Sequence, residues 1–243
     1  MKIVIITGAS KGIGQELYKQ FIESGATVYG MARTNPDRLQ GIQEVDITNF
    51  EKASNVVTDI VNRHQNEAES FTLINNAGVI DPIGLVGSLN AREIENAIHV
   101  NLTAPIQLSN TFIAELVEFR GAKKILNISS GAGRSAYEGW AMYCTTKAGL
   151  DHFSRVIAVE QQQAKYPVGI VSIAPGIIDT GMQETIRSSS NEQFPHLEKF
   201  IAFKEQGQLS SAADTASKLL RVIKETDFIA VEDPIMDIRQ TGW

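Results

Sequence analysis

The chain begins Met1-Lys2-Ile3-Val4-Ile5-Ile6-Thr7-Gly8-Ala9-Ser10-Lys11-Gly12-Ile13-Gly14, and its architecture can be worked out from this stretch. The apolar run from Ile3 to Ile6 predicts a short buried strand, because β-branched residues favour strands. The three glycines predict a turn, and the residues after them have the spacing of an amphipathic helix. A strand, a glycine-rich turn and a helix in this order are typical of the first unit of a parallel sheet.

Short apolar runs and longer amphipathic stretches alternate along the rest of the chain, which is the pattern of parallel strands joined by helical crossovers. The predicted strands are apolar throughout, as in a sheet that helices cover on both faces. We predict one α/β domain over residues 1–243, a Rossmann-type doubly wound parallel sheet with helices on both faces. The strands are expected at Lys2–Thr7, Thr27–Ala32, Gln43–Asp46, Phe71–Asn75, Lys123–Ser129, Val168–Ala174 and Phe228–Ala230, and the helices at Gly12–Ser24, Phe50–Asn66, Arg92–Phe119, Trp140–Tyr166 and Ser211–Glu225.

The stretch Thr180–Leu209 departs from this alternation. It follows a predicted strand and holds Ser188-Ser189-Ser190, Pro195 and several aromatic residues, so we expect inserted helical pieces rather than a standard crossover. Insertions at the carboxyl ends of strands usually form binding walls or lids. Residues 180–209 are therefore predicted to be a substrate-side insertion or lid, and a surface insertion without a role is the alternative.

The composition excludes several classes of protein. The single cysteine, Cys144, rules out an intrachain disulfide framework and a cysteine-based zinc site. The net charge of -6 and the lack of a basic block argue against a nucleic-acid partner, whose phosphates require a positive surface. The N-terminal apolar run is too short for a signal peptide or a membrane span, so we expect a cytoplasmic protein that binds small molecules. No metal is predicted, because metal-ligand spacing is missing from the histidines, which are His64, His99, His152 and His196.

The glycine turn predicts a binding site for the pyrophosphate of a dinucleotide. Gly8 permits a tight turn, Gly12 lets the backbone approach the phosphates, and Gly14 lets the helix and the strand pack closely. The helix that begins there offers free N–H groups and a partial positive charge to an anion. A glycine-rich turn without a ligand is the alternative. The residues expected to contact the cofactor here are Ile6, Gly8, Ser10, Lys11, Gly12, Ile13 and Gly14.

The glycines have the spacing Gly-x-x-x-Gly-x-Gly, and the chain resembles the short-chain dehydrogenase/reductase family in this and in later motifs. These follow in order along essentially the whole chain: Asp46, Asn75-Asn76-Ala77-Gly78, Asn101, Ser129-Ser130, Tyr143-x-x-x-Lys147 and Pro175-Gly176. The resemblance implies an oxidoreductase that transfers hydride between a nicotinamide cofactor and its substrate.

The resemblance also implies which residues surround the cofactor. Without it, Asp46 would be only a helix cap and Asn75–Gly78 only a turn. It implies that Asp46 and Ile47 flank the adenine and that Asn76, Ala77 and Gly78 line the adenosine-ribose side. It also implies that the cofactor is contacted toward the nicotinamide end by Pro175, Gly176, Ile178 and Thr180.

The choice of nicotinamide cofactor depends on the end of the second predicted strand. In NAD enzymes an acidic residue about 20 positions beyond the glycine turn binds the ribose hydroxyls. This chain has no acidic residue at that place and has Arg33 there instead. A guanidinium can bind a ribose 2′-phosphate through two hydrogen bonds, and Lys11 supplies a second cation nearby. We predict NADP(H), and an ordinary solvated arginine is the alternative.

Tyr143 and Lys147 stand four residues apart in a predicted helix, so their side chains share one face. A free phenol has a pKa near ~10, and an adjacent ammonium stabilises the phenolate and lowers that pKa. Tyr143 can then act as the general acid that protonates a carbonyl oxygen as hydride arrives. Taken alone, such a pair is a common contact on a helix surface. By the resemblance, both residues also contact the cofactor, and Lys147 binds the nicotinamide ribose.

Ser130 stands 13 residues before the tyrosine and ends an apolar strand, where sheet topology places functional groups. Its hydroxyl can hold the substrate carbonyl, and the neighbouring Ser129 is the alternative. By the resemblance, Asn101 keeps a water close to Lys147 and completes a proton relay. The alternative for Asn101 is a helix-interior residue bound to a neighbouring carbonyl. A nucleophilic Cys144 is rejected, because no histidine is placed to activate it.

The substrate is indicated by an apolar, aromatic set of residues near the tyrosine motif and in the insertion. Such a wall suits a flat aromatic ketone better than a sugar or a hydroxy acid, and the alternative is that these residues form core. The set comprises Tyr137, Trp140, Met142, Met182, Phe194, Phe200 and Phe203.

Several stretches are similar to the sepiapterin-reductase branch of the family, and most of all to its bacterial benzil reductases. They are Ser129–Gly133, Gly139–Cys144, Asp179–Gln183, Ile186–Ser190 and Gly207–Leu209. This resemblance implies NADPH-dependent reduction of one carbonyl of an aromatic 1,2-diketone such as benzil, giving (S)-benzoin. Sepiapterin reductases hold their pterin with an acidic residue near the C-terminus, and Asp237 occupies a similar place, so a pterin side-chain ketone is the alternative. The expected substrate contacts are Ser130, Trp140, Met182 and Asp237.

A protein of this fold that binds NADP(H) without catalysis is a further alternative. The presence of Asn101, Ser130, Tyr143 and Lys147 together argues against it, although a fold alone never fixes a function. Members of the family associate through the two long helices around Asn101 and Tyr143. The resemblance therefore implies a homo-oligomer, either a dimer or a tetramer.

Overall fold

The computed structural model describes residues 1–240, which form one parallel sheet of seven strands in the order β3-β2-β1-β4-β5-β6-β7. The order reverses between β1 and β4, and ligands of doubly wound sheets bind at such a switch point, outside the carboxyl ends of the strands. The predicted fold class is confirmed. The strands are β1 Lys2–Thr7, β2 Thr27–Ala32, β3 Ile42–Glu44, β4 Ser70–Asn75, β5 Ala122–Ile128, β6 Gly169–Ala174 and β7 Ile235–Asp237.

Helices cover both faces of the sheet. They are α1 Gly12–Glu23, α2 Phe50–His64, α3 Ala91–Ile98, α4 Ala104–Glu115, α5 Ala141–Gln161, α6 Gly181–Arg187, α7 Leu197–Glu205 and α8 Ala212–Glu225. No helix within residues 1–240 is long and apolar enough to cross a membrane.

The core has one apolar layer on each face, which explains why the strands lack a polar side. In β1, Ile3 and Ile5 pack into the layer under α2 and α4, while Val4 and Ile6 pack into the layer under α1 and α8. Side chains of successive strand residues point to opposite faces. Both faces are buried here, so the interior positions of β1, from Ile3 to Ile6, are all apolar.

Two consecutive lysines interrupt this rule in β5, and each fastens a helix end on its own face. The Lys123 side chain is buried, and its Nζ donates hydrogen bonds to the carbonyl oxygens of Leu116 and Phe119, just beyond α4, at 2.9 Å each. The Lys124 Nζ donates to the carbonyl of Thr226, just after α8, at 2.9 Å. Burial lowers the pKa of both lysines. The cations therefore satisfy carbonyls that a helix terminus leaves unpaired.

Two elements differ from the predictions. The expected helix Arg92–Phe119 is broken by a π-helical turn, His99–Thr103, between α3 and α4. The predicted last strand, Phe228–Ala230, is wrong: the Asp227 carboxylate accepts a hydrogen bond from the backbone N–H of Ile229 at 2.9 Å and holds a turn there. The strand that pairs with β6 is β7, seven residues further along.

The insertion after β6 contains α6 and α7, and its two ends meet. The backbone N–H of Asp179 donates to the carbonyl of Ser210 at 2.9 Å, and that of Ser210 donates to the carbonyl of Ile177 at 3.0 Å. An ion pair between Asp179 and Lys204 lies inside this closure. The segment therefore leaves the sheet and returns to it at one point, beside the carboxyl end of β6.

Candidate active site

The glycine turn between β1 and α1 is held open by backbone geometry. Gly8 and Gly12 have φ of +68° and +56°, in the left-handed region that side chains disfavour. A Cβ on Gly14 would lie 2.2 Å from the carbonyl oxygen of Gly8, so no larger residue fits at that position. Ile6, expected to contact the cofactor, is fully buried in the core beneath this turn.

Asn76 supports the turn from the end of β4. Its Nδ2 donates to the carbonyl oxygens of Thr7 at 2.9 Å and Gly8 at 3.2 Å. The Thr7 Oγ1 in turn accepts from the backbone N–H groups of Asn76 and Ala77, both at 3.0 Å. The amide of Asn76 therefore fixes the shape of the turn, and the backbone of Ala77 and Gly78 is left beside the cleft.

The groups around the turn fit a dinucleotide. No side chain caps the N-terminus of α1 at Lys11, so the first N–H groups of the helix remain free for an anion. Thr180, at the start of the insertion, faces Gly12, because a Cβ there would lie 3.4 Å from the Thr180 Cγ2. The cleft therefore runs from the glycine turn to the segment after β6, and it is lined with donors suited to a pyrophosphate.

Arg33 and Asp46 differ in their hydrogen bonding. Arg33 is exposed at the end of β2 and forms no hydrogen bond or ion pair with any residue from 1 to 240. The Asp46 Oδ1 accepts hydrogen bonds from the backbone N–H of Thr48 at 2.9 Å and from its hydroxyl at 2.8 Å. Asp46 thus stabilises the turn before α2, and the guanidinium of Arg33 is free for a ligand.

The structure brings together three of the expected catalytic groups. Tyr143 and Lys147 are buried on one face of α5, and the Lys147 Nζ lies 5.7 Å from the centre of the Tyr143 ring. The Ser130 side chain, beyond the end of β5, hydrogen-bonds to Tyr143. The Lys147 ammonium donates to the carbonyl oxygen of Ile128 at 2.7 Å, which ties α5 to the same strand.

The protonation states differ from the simple expectation for a tyrosine and lysine pair. Burial raises the pKa of Tyr143, and the hydrogen bond from Ser130 acts in the opposite direction. Burial also lowers the pKa of Lys147 to about 8, against the carboxylate of Asp151, which raises it. The ammonium lies 5.7 Å from the ring centre and is hydrogen-bonded to the Ile128 carbonyl. Tyr143 therefore keeps its proton at neutral pH, as an acid must.

Asn101 lies fully buried in the π-helical turn. Its Oδ1 accepts from the backbone N–H of Val79 at 2.8 Å, and its Nδ2 donates to the Val79 carbonyl at 2.8 Å and to the Thr146 hydroxyl at 3.3 Å. A Cβ on Gly78 would lie 3.3 Å from the Asn101 Oδ1 and 3.7 Å from the Lys147 Nζ. Asn101 therefore joins the segment after β4 to α5, next to the lysine. Such π turns are frequent at functional sites.

The aromatic residues form a cluster that anchors the insertion above Tyr143. Trp140 stacks on Phe194 with ring centres 4.5 Å apart, and it meets Tyr143 edge to face at 5.9 Å. Trp140 and Phe194 are 5% and 0% exposed, so part of the expected wall is interior packing. Met182, at the start of α6, is half-buried. The aromatic cluster consists of Tyr137, Trp140, Phe194, Phe200 and Phe203.

Asp237 lies at the end of β7, where its carboxylate is bound by Arg239. Its Oδ1 accepts from the Arg239 Nε at 2.9 Å, and its Oδ2 accepts from Nη2 at 2.6 Å. This hydrogen bonding lowers the pKa of Asp237. The Arg239 side chain passes 3.9 Å from the position of a Cβ on Gly176, toward the expected nicotinamide end. Sequence reasoning missed Arg239, whose one signal was its place two residues beyond an expected site residue.

The functional groups converge at the carboxyl ends of β1, β4, β5 and β6. A free helix N-terminus and a free guanidinium lie at one end of the cleft, and a buried, protonated phenol with a lysine and a serine lies at the other. This arrangement is suited to binding a dinucleotide and to donating one proton to a substrate oxygen. Two residues beside these groups were missed by sequence reasoning: Asp151, whose carboxylate acts on Lys147, and Arg239, which binds Asp237.

Comparison with known proteins agrees with this geometry. The chain is 38% identical over 229 residues to benzil reductase ((S)-benzoin forming) from Bacillus subtilis (strain 168), with 93% of this chain and 94% of that protein covered. It is 28% identical over 248 residues to sepiapterin reductase from Meriones unguiculatus, covering 93% and 92%. The fold is shared with the short chain dehydrogenases/reductase YIR035C from Saccharomyces cerevisiae at a TM-score of 0.86 and 24% identity, covering 99% and 97%.

A sequence model described as short chain dehydrogenase matches residues 2–191, most of the chain. The match includes the glycine turn, the serine, and the tyrosine and lysine of α5, whose geometry is described above. The chain therefore belongs to the short-chain dehydrogenase/reductase family of oxidoreductases.

Proposed function

We propose that this oxidoreductase is an NADPH-dependent carbonyl reductase that converts one carbonyl of an aromatic 1,2-diketone to the alcohol, as in benzil to (S)-benzoin. The observation that carries the proposal is the buried Tyr143, hydrogen-bonded to Ser130 and packed edge to face against Trp140. A protonated phenol under an aromatic ceiling suits a flat, uncharged ketone. The Bacillus subtilis relative is named as a benzil reductase, and benzil is an aromatic 1,2-diketone.

In the proposed mechanism the protein positions the carbonyl oxygen and supplies its proton. Bound NADPH provides the hydride for the carbonyl carbon. The Ser130 hydroxyl donates a hydrogen bond to the oxygen, and Tyr143 transfers its Oη proton to that oxygen, which completes the alcohol. The ammonium of Lys147, 5.7 Å from the ring centre, stabilises the phenolate that remains. The buried Trp140 and Phe194 keep bulk water away from this proton.

The proposal of NADP(H) rests on two cations on the adenosine side of the cleft. Arg33 is exposed and unpaired within the described residues, and Lys11 is exposed in the glycine turn. Arginine binds phosphate through a rigid fork of donors, so the two cations favour a 2′-phosphate over a free hydroxyl.

A specific contact favours the diketone over a pterin. A pterin held by Asp237 would compete with Arg239, whose side chain already donates to both oxygens of that carboxylate. A neutral diketone does not compete for that pair. Replacing Arg239 with methionine keeps an unbranched apolar stem but removes the guanidinium that binds Asp237, so it should raise turnover of sepiapterin relative to benzil.

The test of the proposed function follows NADPH oxidation at 340 nm with benzil and with sepiapterin in parallel, with the product resolved on a chiral column. Faster benzil turnover to one benzoin enantiomer supports the proposal. Faster sepiapterin turnover would make this a pterin enzyme. NADPH binding without turnover of either would favour the non-catalytic alternative. Tyr143→Phe is the control, and it should lose turnover while keeping NADPH affinity.

A further inference from the structure

The turn that carries Ser130 rests directly on the helix that carries Tyr143 and Lys147. Ser130 leads into a short 3-10 turn, Gly131–Gly133. A Cβ on Gly133 would lie 2.9 Å from the carbonyl carbon of Lys147, so the two backbones touch. A shift of this turn therefore changes the distance from the serine hydroxyl to the tyrosine.

An ion pair between the exposed Arg134 and the buried Asp151 fixes this contact on the far side. The Arg134 Nε lies 3.3 Å from the Asp151 Oδ2, and the Arg134 Nη2 donates to the carbonyl oxygen of Met236 at 2.8 Å. The Asp151 Oδ1 accepts from the Ser172 hydroxyl at 2.7 Å. The Asp151 side chain is only 4% exposed. The pair therefore links the serine turn to α5, β6 and β7 at one place.

Asp151 also lies one helical turn beyond Lys147, so the two side chains share a face of α5. Its carboxylate raises the pKa of Lys147 against the effect of burial. The mechanism proposed above uses neither Asp151 nor Arg134. Burying a carboxylate next to a catalytic lysine is costly unless it is paired, and the pairing here comes from the serine turn.

We propose that Asp151 and Arg134 are positioning residues that hold the serine turn on α5 and set the proton occupancy of the Tyr143 and Lys147 pair. Asp151 favours the state in which the pair keeps its protons, and Arg134 limits that effect. The proposal rests on the roles of Tyr143 and Lys147 under the proposed function. It goes beyond them by adding two residues that touch neither substrate nor cofactor.

Other charged groups near the pair do not provide the same field. On α5 itself the thiol of Cys144 adjoins Tyr143 and raises its pKa. From β7, Asp237 is compensated by Arg239. His99, in the π-helical turn, packs edge to face against Phe50 at 5.7 Å. The charged residues of α3 are exposed; they are Arg92, Glu93 and Glu95.

The sign of the expected effect distinguishes this proposal from a purely structural role. When the Tyr143 and Lys147 pair loses a proton, its charge falls by one, whichever residue loses it. A nearby negative charge opposes that loss, and a nearby positive charge favours it. Asp151→Asn should therefore move the titration to lower pH by about one unit, and Arg134→Gln should move it to higher pH.

The experiment has two readouts. The first is the titration of Lys147 in cofactor-free protein, followed by NMR of isotope-labelled lysine and assigned by its loss in Lys147→Arg. The second is the high-pH limb of kcat/KM for benzil. The matched control is Asp233→Asn, which breaks the exposed ion pair of Arg155 on the same helix and should shift neither readout.

Opposite shifts for Asp151→Asn and Arg134→Gln support the proposal, and shifts in the same direction, or none, overturn it. Thermal melts check that each variant folds. Should Asp151→Asn fail to fold, Arg134→Lys is compared with Arg134→Gln. Lysine keeps the positive charge, so Arg134→Lys should titrate like the parent protein while Arg134→Gln is shifted. The NMR readout needs no substrate, so a failure of the proposed function, seen as turnover by Tyr143→Phe, is distinguishable from a failure of this inference.

Discussion

Phe194 packs the insertion against the candidate active site. Its side chain is 0% exposed and lies between Trp140, at 4.5 Å between ring centres, and Phe200, at 5.3 Å. Replacing a buried phenylalanine with alanine costs about 3–5 kcal/mol, which includes ring pairs worth about 0.5–1.5 kcal/mol each. The free energy of unfolding of a domain is only about 5–15 kcal/mol, so Phe194→Ala removes a large fraction of the stability of the protein.

Phe203→Ala is the matched control for this prediction. Phe203 belongs to the same aromatic cluster but is only partly buried, and Phe200 is its aromatic neighbour at 5.6 Å. We expect the control substitution to lower the free energy of unfolding by only about 1–2 kcal/mol, because it removes less buried apolar area. Urea unfolding measures both values. Functionally, Phe194→Ala should raise the KM for benzil by more than tenfold and change NADPH affinity little, since the glycine turn lies outside the cluster.

Two results would refute this reasoning. Equal losses of stability in the two variants would mean that Phe194 is not the anchor of the insertion. A larger effect on NADPH affinity than on the KM for benzil would mean that the aromatic cluster supports the cofactor rather than the substrate. NADPH fluorescence on binding measures the affinity directly and needs no turnover.

Three further predictions concern the cofactor cleft and the sheet. Arg33→Gln should raise the KM for NADPH about 10- to 30-fold and leave that for NADH unchanged, because a charge-assisted hydrogen bond is worth about 1.5–2 kcal/mol at an exposed site. Arg63→Gln, an exposed arginine of α2, is the charge-matched control. Gly14→Ala should abolish nucleotide binding in a fluorescence titration, because its Cβ would lie 2.2 Å from the Gly8 oxygen, and intact binding would show that the turn yields. Lys123→Met should lower stability in urea by about 2–4 kcal/mol by leaving carbonyls unpaired, and a loss under 1 kcal/mol would contradict the capping role.

Much of the architecture was predictable because it follows from local spacing. Three features depend on geometry within one or two elements: the glycine turn, the apolar runs that form the strands, and the four-residue separation of Tyr143 and Lys147. Spacing alone does not relate residues on different helices. The expectation that Asn101 lies close to Lys147 came from the resemblance to a family.

The missed features depend on partners that are distant along the chain. The strand predicted at Phe228–Ala230 had the right residue types, but Asp227 folds that segment into a turn and β7 takes its place in the sheet. The π-helical turn at Asn101 has no signature in a helical pattern. Likewise, Lys123 and Lys124 look misplaced in an apolar strand until the helix ends that they cap are known.

Two balanced ion pairs lie on this side of the proposed catalytic pair, Arg134 with Asp151 and Arg239 with Asp237. Removing Asp151 or Arg134 alone leaves an uncompensated charge beyond Lys147 on α5, whereas removing both leaves none. The double variant Arg134→Gln with Asp151→Asn should therefore shift the Lys147 titration less than Asp151→Asn alone, because the two fields oppose each other. Its kcat should nevertheless fall below that of the parent enzyme, because the serine turn has lost its tie to α5. A double variant that shifts the titration by more than the single variant would show that the two charges do not act on Lys147 as a pair.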